Sequence, residues 1–421
     1  MTPLPESTSA TELVARLRPG MTVYVPGMSG ESLAFYAALQ ANPEAAADVR
    51  FAGVHVPGIN RSDYLSLHPR ARQRGYFMTG GLRRGIQEGR AELLPLDHPG
   101  IYRDLSDSLD VDVVIAQVSP PDAAGRCSLG PCHDFLPAVW NKARQRWVQI
   151  NPRVPRVRAS VSLDVADFDA VFEQDHELLS YQIAGTDGAS QQHAALIASL
   201  VRDGDTLEFG IGKLPNAILA ALSGHRGLRI YSGLVTDAVA TLIDAGAIAE
   251  GAAVDAGVAL GDAAFYARIG ADDHFFFRPV SETHDLRRIG AIDNFCAINS
   301  GVEVDLFGQV NADSIKGKLL AGVGGLPAFV SGARLSRGGR SIVALPAATD
   351  DGKHSRIVPT LGSGCTVALP RHEADYIVTE HGIAALRGLN LQQRAEALIA
   401  IAAPAFREDL ARAWHEIAAR I

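Results

Sequence analysis

The stretch from residue 207 to 239 constrains the fold more than any other part of the chain. A strand-like run at 207–209 meets a turn with two glycines at 210–212 and continues into an apolar helical stretch, predicted at 215–222. A second strand is predicted at 228–232. A strand, a crossover helix and another strand in this order form the repeating unit of a parallel sheet. The chain is therefore predicted to be an α/β protein.

The turn itself is a predicted binding site. Glycine lets a ligand approach the backbone closely, and Pro215 suits the first turn of a helix. The first amides of a helix have no intrahelical partner and carry partial positive charge, which suits a phosphate, a carboxylate or an oxyanion. The predicted binding residues are Gly210, Ile211, Gly212, Lys213, Leu214 and Asn216. Taken alone, the pattern fits an ordinary strand-to-helix connection equally well.

Length and charge narrow the class of protein. At 421 residues the chain is longer than one hydrophobic core usually supports, so we predict two domains, 1–185 and 186–421. A net charge of −8 gives no support to nucleic-acid binding. No segment reaches the roughly 18 uninterrupted apolar residues of a membrane span. The four cysteines are widely spread, which favours neither disulfides nor a metal site, so we expect a soluble, cytoplasmic protein without metal.

Strands and helices alternate along both predicted domains. A first helix is predicted at 7–18. The predicted strands outside the central stretch include those at 21–25, 50–54, 111–116, 147–150, 295–299 and 302–306. A second glycine-rich segment follows at 322–325, where bare backbone is expected at the surface. Each domain is thus predicted to contain a mostly parallel sheet flanked by helices.

Several segments carry a family resemblance. They are VSPPDAAGRCSLG at 118–130, INPRVPRV at 150–157, INSGVEVDLFGQVNADSI at 298–315, AGVGGLPAF at 321–329, SRIVPTL at 355–361 and VTEHGIAALRGLNLQQRAEALIAIAAPAFREDL at 378–410. With the glycine turn, they resemble the acetyl-CoA hydrolase/transferase family, which includes acetate, succinate and 4-hydroxybutyrate CoA-transferases. The resemblance is collinear over nearly the whole chain. It implies two related domains, coenzyme A or acyl-CoA as substrate without a tightly bound cofactor, a small carboxylic acid or water as second substrate, and a homodimer.

The resemblance also assigns roles to individual glycines. Gly322, Val323, Gly324 and Gly325 are expected to lie against the acyl thioester, with Gly324 and Gly325 helping to bind the oxyanion. In the family's CoA-transferases, a glutamate at the end of the second strand is the nucleophile that carries the acyl group and then CoA. The matching segment here is Ser232-Gly233-Leu234. The resemblance therefore places Gly233 at the position of the nucleophile.

The missing carboxylate leaves three interpretations open. An acyl-CoA enzyme could use the space at Gly233 for water, a substrate carboxylate or a larger acyl group, which gives hydrolysis or direct acyl transfer. The chain could instead bind acyl-CoA without catalysis. A relocated nucleophile is the third interpretation, and its candidates are Asp237, Glu303 and Glu380. Gly233 alone is also explained by a backbone that requires a positive φ at the strand end.

Overall fold

The computed structural model describes residues 5, 7–182, 188–251 and 253–421. The chain divides into two compact units, each assembled from three separate segments. The first unit contains Met1–Gln182, Gly233–Asp237 and Val254–Thr283, and the second contains Ile183–Ser232, Ala238–Ala253 and His284–Ile421. The predicted domain boundary near residue 185 lies outside the described residues.

The N-terminal part of the chain, up to residue 182, alternates short strands and helices. Its strands are β1 (Thr22–Tyr24), β2 (Arg50–Ala52), β3 (Arg72–Gly75), β4 (Ala91–Leu93), β5 (Val113–Val118), β6 (Arg126–Cys127), β7 (Gln145–Ile150), β8 (Leu163–Asp164) and β9 (Ala170–Glu173). Its α-helices are α1 (Ala10–Val14), α2 (Leu33–Ala41), α3 (Gly80–Gln87), α4 (His98–Arg103) and α5 (Leu136–Trp140).

The remainder of the chain continues the alternation. Its strands are β10 (Thr206–Phe209), β11 (Arg229–Thr236), β12 (Val254–Leu260), β13 (Phe275–Phe277), β14 (Phe295–Ser300), β15 (Glu303–Asp305), β16 (Val310–Asn311), β17 (Ser314–Ile315), β18 (Lys318–Leu319), β19 (Arg340–Ala344), β20 (Ile357–Val358), β21 (Tyr376–Thr379) and β22 (Gly382–Ala385). Its helices are α6 (Gly188–Ala198), α7 (Lys213–Ala221), α8 (Asp237–Asp244), α9 (Ala263–Ala271), α10 (Val280–Thr283), α11 (Leu286–Gly290), α12 (Leu326–Leu335), α13 (Leu391–Ala400) and α14 (Arg407–Ala418). Among the helices of the described ranges, none is both long and apolar enough to cross a membrane.

The first unit contains a seven-stranded sheet with the order β4-β3-β2-β1-β5-β7-β9. All neighbouring strands in this sheet are parallel. β5 is buried at every position, as expected for a parallel strand covered on both faces. Phe35, Phe51 and Trp147 belong to the hydrophobic core that packs against the sheet. The predicted parallel α/β architecture is confirmed for this unit.

Residues far apart in sequence complete the first unit. The hydroxyl of Ser29 donates a hydrogen bond to the carbonyl of Ala259 at 2.9 Å. The amide of His133 donates to the carbonyl of Gly257, also at 2.9 Å. The segment Val254–Thr283 is therefore an integral part of a unit that begins near the N-terminus.

In the second unit, strand pairing follows the order β11-β10-β14-β19-β21-β22. Every pair is parallel except the last, because β22 returns antiparallel to β21. Val343, Ile377, Leu398 and Trp414 join these strands to α13 and α14 in one core cluster. The mostly parallel sheet predicted for this part of the chain is confirmed.

The predicted boundaries of α7, β11 and α1 differ from the structure. α7 begins at Lys213, two residues before the predicted start, because Gly212 is its N-cap with a φ of 123°, a value that favours glycine. β11 extends to Thr236, so Gly233 lies inside the strand. α1 is shorter than predicted, and a capping box between Ser9 and Glu12 sets its start.

A buried ion pair joins β19 to the residue that precedes β10. Arg340 is 4% exposed and Asp205 is 1% exposed. The guanidinium of Arg340 donates to both carboxylate oxygens of Asp205 and to the carbonyl of Leu200, the last at 2.9 Å. Because both charges are shielded from water, removal of one leaves the other buried and uncompensated.

Arg340→Leu is expected to lower the free energy of unfolding by about 3–5 kcal/mol, because Asp205 would keep a buried charge. Arg337→Leu is the matched control. Arg337 pairs with Asp293, but their side chains are 85% and 48% exposed, and such surface pairs contribute about 0–1 kcal/mol. Urea denaturation followed by circular dichroism measures both variants. Equal destabilisation of the two would contradict the prediction.

Candidate functional site

The second unit brings both predicted glycine segments to one edge of its sheet. β10 is parallel to β14, and β14 is parallel to β19, so their carboxyl ends lie at the same edge. α7 follows β10, and α12 leads from the segment at 322–325 into β19. In parallel crossovers the helices begin at the carboxyl edge of the strands, which is where ligands bind in open α/β sheets. A single cleft that contains both segments stays a prediction.

The first glycine turn is accessible to a ligand. The predicted residues Gly210, Ile211, Gly212, Leu214 and Asn216 are partly exposed, and Lys213 is exposed. A Cβ added at Gly210 or at Gly212 would have no atom within 4 Å. The turn leads into α7, which has nine residues. The first amides of such a helix suit an anion.

The second glycine segment comes immediately before α12. Gly322, Val323, Gly324 and Gly325 are all partly exposed. Gly324 has a φ of 65°, and Gly325 is the N-cap of α12. A Cβ added at Gly325 would come within 2.4 Å of Nε2 of His284. Only a glycine therefore lets the backbone pass this imidazole ring without a shift.

Sequence reasoning did not identify His284 as a residue of the site. His284 is 3% exposed, and its ring lies 4.5 Å from that of Phe329 on α12, measured between centroids. It follows α10 directly and lies outside every segment that carries the family resemblance. No sequence signal distinguished it, because its proximity to Gly325 exists only in the folded chain.

Glu208 is a second residue that sequence reasoning missed. It lies on β10 beside Ala297 of β14, two residues before Gly210, and is 3% exposed. The side-chain amide of Asn299 donates a hydrogen bond to Oε2 of Glu208 at 2.7 Å. Burial raises the pKa of Glu208 to about 8, and the hydrogen bond from Asn299 opposes that rise. The available signal was a charged residue between two apolar positions of a strand.

The three candidates for a relocated nucleophile differ in their hydrogen bonds and in their positions in the fold. Both carboxylate oxygens of Glu380 accept from the amide of Ala347, at 3.0 and 3.2 Å. Glu303 begins β15, where it accepts from the side-chain amide of Asn311 at 3.4 Å. Asp237 is the first residue of α8 and belongs to the first unit. A nucleophilic role for any of them stays a prediction.

A metal centre has no support in the described residues. In the ranges that the structure covers, no group of three or more His, Cys, Asp or Glu side chains could hold an ion.

Gly233 lies within β11 and belongs to the first unit. In that unit, a Cβ added at Gly257 would approach the carbonyl oxygen of Gly233 to 2.8 Å. The described glycines with positive φ include Gly212 and Gly324 but not Gly233. The explanation of Gly233 by a left-handed backbone is therefore wrong. An extended strand conformation is open to any L-residue.

Gly212→Ala is expected to lower the free energy of unfolding by about 1–2 kcal/mol, because its φ of 123° strains an L-residue. Gly210→Ala is the control in the same turn, since its Cβ meets open space without a positive φ. Its effect should stay below about 1 kcal/mol. Differential scanning calorimetry compares the two proteins. Equal stability of the two variants would show that the backbone at residue 212 is unstrained.

Two family models match this chain. The N-terminal domain of acetyl-CoA hydrolase/transferase matches residues 5–180, and the C-terminal domain matches residues 261–414. Individual proteins extend the similarity. The chain is 34% identical over 374 residues to the 4-hydroxybutyrate coenzyme A transferase of Clostridium kluyveri, which covers 85% of each chain. It is 36% identical over 352 residues to the butyryl-CoA:acetate CoA-transferase of Anaerostipes caccae, which covers 79% of this chain and 78% of that protein.

A solved structure supports the same fold. The crystal structure of RipA from Yersinia pestis superimposes with a TM-score of 0.89 at 27% sequence identity. The alignment covers 98% of this chain and 97% of RipA. The similarity thus extends over both units of the chain.

Proposed function

This chain belongs to the acetyl-CoA hydrolase/transferase family and is an acyl-CoA-using enzyme, and from that premise we propose that it cleaves acyl-CoA by direct attack of the acceptor on the thioester. The acceptor is water or a small carboxylic acid. No covalent intermediate with the enzyme forms in this reaction.

The observation that carries the proposal is Gly233, which we assign to the position of the family's nucleophilic glutamate. Glycine has no side chain that could attack a thioester. A well-oriented nucleophile within a protein lowers a barrier by roughly 7–11 kcal/mol, so its loss changes the course of the reaction. The acceptor must then reach the acyl carbon itself.

Backbone amides supply the remaining chemistry in this proposal. Attack by water on the thioester carbonyl produces an oxyanion, after which the carbon–sulfur bond breaks. The CoA thiolate leaves and receives the proton that water has lost. The amides of residues 322–325 suit the oxyanion, and the start of α7 suits a phosphate or carboxylate of the substrate. One such donor contributes a factor of about 10²–10³ to the rate.

CoA transfer to a carboxylic acid is the second candidate function, and the names of the two CoA-transferase relatives favour it. The acceptor carboxylate would attack the acyl carbon, giving an acid anhydride and CoA thiolate. The thiolate would then attack the acceptor carbonyl of the anhydride, which releases the first acid. The atoms balance without a nucleophile from the enzyme.

Intact-protein mass spectrometry tests the proposal directly. The purified protein is incubated with acetyl-, propionyl-, butyryl- and succinyl-CoA, with and without added carboxylic acids, and free CoA is measured in parallel. We expect release or exchange of CoA while the protein mass stays unchanged. A CoA or acyl adduct would refute direct attack. Absence of turnover together with binding of acyl-CoA would favour a binding protein.

Gly233→Glu is expected to create a glutamyl-CoA adduct and ping-pong CoA transfer, because it returns a carboxylate to the position of the family nucleophile. The strand conformation at this position accepts an L-residue. Gly233→Gln is the matched control, since it adds nearly the same volume without a carboxylate. Mass spectrometry and exchange kinetics compare the two variants. A folded Gly233→Glu protein that binds acyl-CoA but gives no adduct would contradict the assignment of Gly233.

A further inference from the structure

We propose that Glu208 is a positioning residue that sets which end of the Asn299 side-chain amide faces the carboxyl edge of the second unit's sheet. Its ionised form holds the Asn299 carbonyl outward, where that carbonyl accepts a hydrogen bond from the attacking water. This inference rests on the proposed direct attack by water.

A buried side chain, Glu208, contacts a partly exposed one, Asn299. Glu208 is 3% exposed, whereas Asn299 is partly exposed near the end of β14. A hydrogen bond of 2.7 Å from Nδ2 of Asn299 to Oε2 of Glu208 joins the two side chains. Asn299 also follows Ile298, whose carbonyl accepts from the amide of Gly210. Asn299 is therefore the next residue along β14 after the backbone partner of the first glycine turn.

Protonation of Glu208 changes what it can offer to Asn299. A carboxylate only accepts hydrogen bonds, so it binds the NH₂ end of the amide and leaves the carbonyl outward. A protonated carboxyl can donate its O–H to the carbonyl, which turns the NH₂ end outward. Burial moves the pKa of Glu208 to about 8, so both forms are populated at mildly alkaline pH.

Titratable and charged groups near Glu208 include Cys296 on β14, which interacts electrostatically with Glu208. Cys296 also interacts with Arg202 and with the Asp205–Arg340 ion pair, whose members precede β10 and lie on β19. Burial raises the pKa of Cys296 to about 12, so its thiol stays neutral where Glu208 titrates. Asp205 and Arg340 are already paired. Only substitution of Glu208 or Asn299 should therefore remove a pH effect that depends on this pair.

The hydrolysis step accounts for every atom and proton. Water attacks the acyl carbon while one of its hydrogens is held by the carbonyl of Asn299, and the proton it loses is received by the departing CoA thiolate. Glu208 exchanges no atom with the substrate. Its role is to fix the direction of the amide, and misplacement of such a group costs up to about 10²-fold in rate.

The test compares hydrolysis of the four acyl-CoA substrates by unmodified protein and Glu208→Gln between pH 6 and pH 9.5. We expect kcat of the unmodified protein to rise through about pH 8, because ionised Glu208 places the carbonyl outward. Glu208→Gln should lose that rise, because its side-chain amide does not ionise between pH 6 and pH 9.5, and its KM should be little changed. A variant that keeps the same pH profile would overturn the inference.

Glu373→Gln is the matched control for loss of a carboxylate in the same unit. Glu373 accepts from Ser331 at 3.1 Å and from Arg334 at 3.2 Å, in the last turns of α12 and away from its N-terminus. This variant should keep the pH profile of the unmodified protein. Loss of the rise in Glu373→Gln as well would mean that the profile reports a general electrostatic effect, which would also overturn the inference.

Folding of the variant is checked by a measurement independent of activity. A group whose pKa is raised by folding makes the native state less stable as pH rises above its ordinary pKa. The Tm of Glu208→Gln relative to the unmodified protein should therefore increase from pH 5 to pH 8. A constant difference would mean that Glu208 does not titrate in the required range, and would overturn the inference.

A double-mutant cycle separates this role from a general structural one. Asn299→Ser should abolish the same rise in kcat, and adding Glu208→Gln to it should cause no further loss, because Glu208 acts through Asn299. Additive losses would overturn the inference. If the unmodified protein shows no turnover, the proposed function is refuted, and the role of Glu208 with it. If the unmodified protein turns over acyl-CoA but the variants do not behave as expected, only the role of Glu208 is refuted.

Discussion

The parallel pairing of β10 with β14 is the constraint on which the candidate site depends. Its register sets Glu208 beside Ala297, and the amide of Gly210 then reaches the carbonyl of Ile298. A shift of one residue would turn Glu208 to the other face of the sheet and break its contact with Asn299. The direction of the same pair also fixes where α7 begins. Backbone geometry thus determines both the glycine turn and the polar pair beside it.

The second glycine segment depends on a different kind of constraint, which is close packing. The imidazole of His284 occupies the space that a side chain at Gly325 would need. Phe329 on α12 contacts that ring. Phe295 of β14 stacks on Phe329, with 6.3 Å between the ring centroids. These aromatic contacts connect the start of α12 to the sheet. Core residues therefore hold the glycine segment at 322–325 in position.

Much of this architecture could be predicted from the sequence. Glycine turns and apolar runs are local signals, so the parallel α/β class and the turn at Gly210 could be predicted from the sequence. The start of α7 was misplaced because Pro215 is tolerated anywhere in a first turn, whereas the positive φ of Gly212 marks the actual N-cap. Glu208 and His284 were missed because each is significant only through a partner far away in sequence. The partner of Glu208 is Asn299, and that of His284 is Gly325. No local pattern carries that information.

The segmented organisation of the two units affects how the chain can fold during its synthesis. Ser29 bonds to a residue that follows it by 230 positions, and β12 and β13 belong to the unit that begins near the N-terminus. Domains commonly fold in the order in which they leave the ribosome. Here the earlier unit reaches its full set of contacts only after residue 283 has been made, when part of the later unit already exists. A fragment that stops at residue 182 would expose apolar surface that the complete chain buries, which makes a truncation at that point a source of aggregation rather than an isolated domain.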